Sequence, residues 1–142
     1  MRQINEAGLD IIKRAETCRL KAYICPAGKW TIGWGSTREV TPGMVISQEE
    51  ADERLEFDVR TAAQDVTQAV TVQLTDNQFS ALTSFCYNAG AGNFNKSTLL
   101  KKLNLGNYSA VATELNKWIF ANGKKLNGLV TRRKAEGDLF NT

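Results

Sequence analysis

The chain has 142 residues, 42% apolar and 23% charged, with a formal net charge of +3, which suits one domain with its own hydrophobic core. It holds no histidine and three cysteines, Cys18, Cys25 and Cys86. These facts exclude Ser-His-Asp and Cys-His catalysis, the usual zinc sites and a dense disulfide framework. Chemistry must therefore come from carboxylates, Cys, Thr, Tyr, Lys or Arg, and neither metal nor cofactor is expected. No apolar run approaches the roughly 18 residues of a membrane-spanning helix. The first residues also lack the apolar segment of a secretory signal, so a soluble chain made in the cytoplasm is expected. Residues 1–90 carry nine Lys/Arg against twelve Asp/Glu, whereas residues 91–142 carry nine against three. The basic second part suits polyanionic partners. No nucleic-acid-binding signature accompanies the charge, so nucleic acid is not expected as a partner.

In chain order, Asn5 to Glu16 reads as a short helix, with Leu9, Ile11, Ile12 and Ala15 at helical spacing. Residues 19–35 are rich in aromatic and β-branched types, and Pro26-Ala27-Gly28 supplies a turn between two short runs. A small antiparallel hairpin is expected there. Ser47-Gln48-Glu49-Glu50 is a capping box. It opens a long helix whose narrow stripe, Ala51, Leu55, Val59, Ala62, Val66 and Val70, predicts partial exposure along its length. Thr75-Asp76-Asn77-Gln78 is a second capping box, opening a helix that runs to the glycine stop Ala89-Gly90-Ala91-Gly92. Ser97 starts a helix through Leu99, Leu100 and Leu103 that stops at Gly106, and helices near 108–121 and 130–140 complete the pattern. The fold class is α+β, mainly helical, with a small sheet near the N-terminus.

Glu16 ends the first helix, Cys25 follows nine residues later at the hairpin turn, and Thr31 six after that on the return strand. A carboxylate at a helix end and two groups on a facing hairpin can line one cleft. The strings Glu16-Thr17-Cys18-Arg19-Leu20-Lys21-Ala22-Tyr23 and Thr31-Ile32-Gly33-Trp34-Gly35 closely resemble the signature of the phage lysozyme family related to the T4 enzyme. In that family a Glu is followed by eight residues, an Asp or sometimes a Cys, five residues and a Thr. Further likeness runs through Leu74 to Phe79, Asn88 to Gly92, Ser97 to Leu100, and Gly128-Leu129-Val130-Thr131-Arg132-Arg133-Lys134-Ala135-Glu136. Three positions depart from the pattern: Cys25 stands at the usual Asp, Ser36 at a common His, and Ala15 at an often aromatic site.

The resemblance implies a single lysozyme domain over 1–142, with an N-terminal lobe over about 1–50, a connecting helix over about 47–70 and a helical C-terminal lobe over about 71–142. It implies a muramidase that hydrolyses the β-1,4 bond between N-acetylmuramic acid and N-acetylglucosamine in peptidoglycan, lysing the host. Glu16 would be the general acid, which requires partial burial to keep it protonated near neutrality. Cys25 would guide or deprotonate the attacking water, or attack directly, and Thr31 would hold the water. Arg132 is the expected ion-pair partner of Glu16, and Tyr87 and Ser97 are expected on the cleft wall, binding substrate. Trp30, Trp34 and Trp118 are read as core residues rather than sugar platforms. The protein is expected to be a monomer, held in the cytoplasm until a holin-type lesion admits it to the wall. A Cys18–Cys25 disulfide is expected to switch the enzyme off, with Cys86 as a resolving thiol if it is exposed. Two other classes compete: a catalytically dead wall-binding module, which the presence of Glu16 disfavours, and a lytic transglycosylase, which the Cys25 and Thr31 pair disfavours.

Overall fold

The structure is a computed structural model that describes residues 2–142. Its first helix, α1 (Glu6–Glu16), starts where the Asn5 side chain accepts from the Gly8 N–H, and stops at Thr17, whose φ is 45°. Strands β1 (Arg19–Ile24) and β2 (Trp30–Gly33) form the expected antiparallel hairpin. Its loop is closed by Cys25 N–H to Lys29 C=O at 2.9 Å and Gly28 N–H to Cys25 C=O at 2.8 Å. Gly28 takes φ +83°, the left-handed position that a three-residue hairpin loop requires. On the other edge of β1, the Ala22 N–H reaches Met44 and the Ile46 N–H reaches Leu20, both at 2.9 Å. Ile32, Ile46 and Ala51 make a small core beneath this sheet.

Helix α2 (Gln48–Ala69) carries the capping box at Ser47 and Glu50 and buries Ala51, Leu55, Val59, Ala62, Ala63 and Val66. This single stripe serves all three core clusters in turn, which is why α2 is apolar along one side and charged on the rest. Helix α3 (Asp76–Ala89) has the second capping box, at Thr75 and Gln78. It is the most enclosed element, with every residue from Phe79 to Cys86 buried. The remaining helices are α4 (Ala91–Lys96), α5 (Thr98–Asn104), a 3₁₀ turn (Tyr108–Ala110), α6 (Val111–Leu115) and α7 (Asn127–Phe140). They pack Phe94, Leu99, Leu103, Val111, Leu115 and Phe140 around Phe79, Leu82 and Phe85.

Four expectations change. Gly90 ends α3 but also begins α4, because its φ of 91° turns the chain without interrupting helical hydrogen bonding for long. The stretch after Leu115 is not helical. It forms a second hairpin, β3 (Phe120–Ala121) with β4 (Lys124–Lys125), around Asn122 and Gly123 at φ 51° and 77°, the residue pair that a two-residue turn favours. Helix α7 starts at Asn127 rather than near 130. Finally α1, expected in the N-terminal lobe, packs against α3 and α7. Gly8 allows that approach, since a β-carbon there would lie 2.8 Å from Ser80, and the Asn5 N–H donates to the Ser80 hydroxyl at 2.9 Å. The acid at the end of α1 is therefore anchored to the helical bundle and faces the hairpin from it.

Candidate active site

Glu16 is the last residue of α1, and its side chain is 19% exposed. Arg132 from α7 donates to Glu16 Oε2 through Nη1 at 2.8 Å. The same guanidinium donates through Nη2 to the Ser84 carbonyl at 3.2 Å and through Nε to Glu136 at 3.3 Å. Glu136 is fully buried and also accepts from Arg133 and, at 2.6 Å, from the Ser84 hydroxyl. Arg133 in turn reaches Asn88 and the Trp118 carbonyl, and lies over the Phe85 ring at 4.8 Å. Two arginines and two glutamates thus share one network whose hydrogen bonds satisfy the buried members, which is the condition for keeping such a cluster out of water.

The opposite side of the carboxyl is bounded by backbone. Residues 33–35 form a tight loop closed by paired Ile32 and Ser36 hydrogen bonds of 2.9 Å. Gly35 lies there at φ +90°, and a β-carbon on it would fall 2.6 Å from Glu16 Cδ and Oε1. Only glycine permits that approach. The first hairpin carries Tyr23 on β1, half-buried Cys25 at its tip and Thr31 on β2, paired in register with Tyr23. Burial, then the Glu16 charge, push the Tyr23 phenol above its ordinary value against the pull of Arg19, with a smaller push from Cys25. Tyr23 thus lies within electrostatic reach of both Glu16 and Cys25.

Burial alone would raise the Cys25 thiol. Hydrogen bonds from the Thr31 side chain and from the backbone at Lys29 and Ala27 outweigh it, and the thiol lies below its ordinary value. Thr31 is 2% exposed and has one hydroxyl proton. That proton serves the Lys29 carbonyl at 2.9 Å beside a neutral thiol, and a thiolate draws it to sulfur. All three cysteines are free. Cys18 touches Gln48 and packs on the small N-terminal core. Cys86 is 2% exposed, and burial, aided by Asp65, pushes its thiol up to about 12, so the exposure on which a resolving role depends is not met.

Two residues expected on the cleft wall have other duties. The Tyr87 hydroxyl donates to the Trp34 carbonyl at 2.6 Å. Burial first, then the Glu16 charge, raises its phenol far above the ordinary range. Ser97 is a buried helix cap: its hydroxyl accepts from the Leu100 N–H at 3.0 Å and donates to the Phe94 carbonyl at 2.7 Å, leaving no proton for a sugar. The three tryptophans are half-buried, and Trp118 packs edge-on against Phe85 at 5.5 Å. Ser36, at the common His position, is buried and accepts from Arg54 at 3.2 Å. Sequence reasoning missed Gly35, Tyr23 and the Arg133–Glu136 pair. A glycine closing a β-branched run does signal close backbone approach, and Arg132 with Glu136 has the i,i+4 spacing of a helical ion pair. A cavity of about 460 Å³ lies elsewhere, over Ile4, Leu9, Leu55 and Val59. Among the described residues no group of His, Cys, Asp or Glu is arranged to hold a metal ion.

Other proteins share both the sequence and the fold. An endolysin of Acyrthosiphon pisum secondary endosymbiont phage 1 is 47% identical over 96% of this chain and 97% of its own length. An endolysin of Bacillus phage PZA is 43% identical over 99% of this chain, which spans about half (55%) of that longer protein. Among solved structures, the muramidase domain of SpmX from Asticaccaulis excentricus superposes with a TM-score of 0.88 at 36% identity, covering 100% of this chain and 99% of that one. The family model described as phage lysozyme matches residues 13–136, from just before Glu16 to Glu136. With the match enclosing the acid, the hairpin and the arginine pair together, the chain belongs to the phage lysozyme family.

Proposed function

We propose that the protein is an endolysin-type muramidase that cleaves the β-1,4 bond between N-acetylmuramic acid and N-acetylglucosamine of peptidoglycan, with Glu16 as its general acid. The observation that carries this reading is the Glu16 carboxyl, four-fifths enclosed and fixed between the Arg132 guanidinium and the Gly35 backbone, with Tyr23, the cross-strand neighbour of Thr31, within electrostatic reach of both Glu16 and Cys25. In the reaction the protonated carboxyl gives its proton to the glycosidic oxygen as the bond from the anomeric carbon to that oxygen breaks. Water held by Thr31 adds to the anomeric carbon and passes a proton to the Cys25 thiolate. Exchange with solvent restores both groups. Arg132 keeps the carboxyl in one rotamer, so the acid meets its oxygen without a search. No cofactor takes part in this scheme. The names of the related endolysins and muramidase support the substrate. Tyr87 and Ser97 support the cleft by fixing its walls rather than by touching sugar.

The protein is further proposed to be a monomer that waits in the host cytoplasm and reaches the periplasmic wall through a holin-type lesion. Among the described residues no helix is long and apolar enough to cross a membrane. Fractionation of producing cells before and after membrane permeabilisation tests this placement, and recovery in the membrane fraction would overturn it. The catalytic reading is tested by Glu16→Gln. The variant should keep its circular dichroism and thermal transition while the clearing of purified peptidoglycan falls to background. Clearing at the parent rate by a folded Glu16→Gln protein would remove Glu16 from the mechanism.

A further inference from the structure

The Trp34–Gly35 peptide unit is held at one end and presses on Glu16 at the other. Its carbonyl oxygen, on Trp34, accepts the Tyr87 hydroxyl at 2.6 Å. Its other end, the Gly35 Cα, lies so close to the Glu16 carboxyl that a β-carbon would be 2.6 Å from Cδ. A peptide unit is planar and rigid, so whatever fixes the carbonyl also fixes where Gly35 meets the acid. Tyr87 comes from α3, the most enclosed helix, and its ring packs against both the main core and the α1–α2 cluster. The paired Ile32 and Ser36 hydrogen bonds close the ends of the loop, but Gly33 and Gly35 at φ 64° and 90° flank Trp34, so the peptide plane between those ends keeps the rotational freedom of glycine.

We propose that Tyr87 is a positioning residue for the acid: its hydroxyl holds the Trp34–Gly35 peptide plane against Glu16 and so sets the direction from which the carboxyl delivers its proton. The proposal rests on Glu16 being the general acid. Arg132 fixes one oxygen from α7 and the Tyr87-held backbone bounds the carboxyl from the hairpin side, so the two restrain it from opposite lobes of the cleft. The Trp34 indole has a separate anchor, donating to Asp52 at 2.9 Å. Loss of the Tyr87 hydroxyl therefore loosens the peptide plane without releasing the loop. The buried phenol remains a donor throughout the pH range in which a carboxylic acid works.

Tyr87→Phe removes the donor and keeps the ring. The structure also supplies a matched control, because Tyr108 donates to the Gln73 carbonyl at 2.7 Å, far along the chain from the site. Tyr87→Phe, Tyr108→Phe and Glu16→Gln would be compared on a soluble, uncross-linked peptidoglycan glycan, with thermal melting alongside. Tyr87→Phe should lower kcat about tenfold with KM held within about twofold, as expected when a reacting group is misplaced while binding is intact. Tyr108→Phe should lose thermal stability by a comparable amount and keep parent kcat. Parent kcat in folded Tyr87→Phe, or an equal loss of kcat in Tyr108→Phe, would overturn the positioning role. Glu16→Gln separates the two levels: if it is inert while Tyr87→Phe is fully active, only the positioning role falls, and if it is active the acid assignment itself falls.

Discussion

Cys25 shows how one side chain takes its reactivity from its neighbours. A thiol at a hairpin tip is an ordinary nucleophile, weakly ionised at neutral pH. Here burial works against the thiolate, and the Thr31 hydroxyl and nearby backbone groups work more strongly for it. Thr31→Val keeps the shape of the buried residue and removes the hydroxyl. The Cys25 pKa should then rise, so the thiolate appears at higher pH and the rising limb of the activity profile moves to the alkaline side. Alkylation of Cys25, followed by mass spectrometry against pH, reads the same shift directly. Cys86, held at about 12, should stay unmodified in the folded protein over that range and serves as an internal reference. An unchanged alkylation profile in Thr31→Val would remove the hydroxyl as the cause.

At the scale of the element, α7 is unusual in burying Arg132, Arg133 and Glu136 on a single helix. Its charged face turns inward because Glu136 lies between the two guanidinium groups, while Ser84, Asn88 and the Trp118 carbonyl take the remaining donors. The helix contributes little hydrophobic stripe, with Phe140 its main apolar anchor. Glu136→Gln would leave two buried cations facing only Glu16. Breaking a buried pair in this way costs about 3–5 kcal/mol, so the urea midpoint should fall sharply with little change in its slope. A loss of under about 1 kcal/mol, the scale of an exposed ion pair, would mean that the cluster is better solvated than its burial indicates.

Over the whole molecule, folding decides which basic residues of the second part of the chain stay unpaired. Of the nine basic residues after position 90, Arg132 and Arg133 are buried in the acid cluster and Lys102 and Lys117 pair with Glu114. Lys134 pairs with Asp138. Among the described residues Lys96, Lys101, Lys124 and Lys125 have no acidic partner within salt-bridge distance, and two of these sit on β4. Asn122 in the adjoining turn donates to the Pro26 carbonyl at 2.7 Å, so this basic hairpin touches the tip that carries Cys25. Attraction to an anionic wall should therefore act at the mouth of the cleft. Sedimentation with purified sacculi should show binding that weakens as ionic strength passes about 0.15 M, where the screening length is about 8 Å. Lys124→Glu with Lys125→Glu should weaken it at low salt. Salt-independent binding would assign the attachment to sugar contacts alone.

The sequence by itself determined the elements whose signals are local. The capping boxes at Ser47 and Thr75, the Pro26-Ala27-Gly28 turn and the stripe of α2 are all contained within a few residues, where hydrogen bonding and periodicity act directly. Glu16, Cys25 and Thr31 stood out through the resemblance to the phage lysozyme signature, since a carboxylate at a helix end and a short hairpin are by themselves common surface features. Local reading failed after Leu115: the Asn122-Gly123 pair was a hairpin signal, and the surrounding apolar pattern was read as helix instead. Only the tertiary structure decided that α1 packs against α3 and α7, that Tyr87 holds the Trp34 carbonyl, and that Gly35 lies against the Glu16 carboxyl. Each joins residues distant in sequence, Arg132 to Glu16 across 116 positions and Tyr87 to Trp34 across 53. Such contacts are set by how helices pack around the core, and that packing depends on the shape of every buried side chain at once rather than on any short segment.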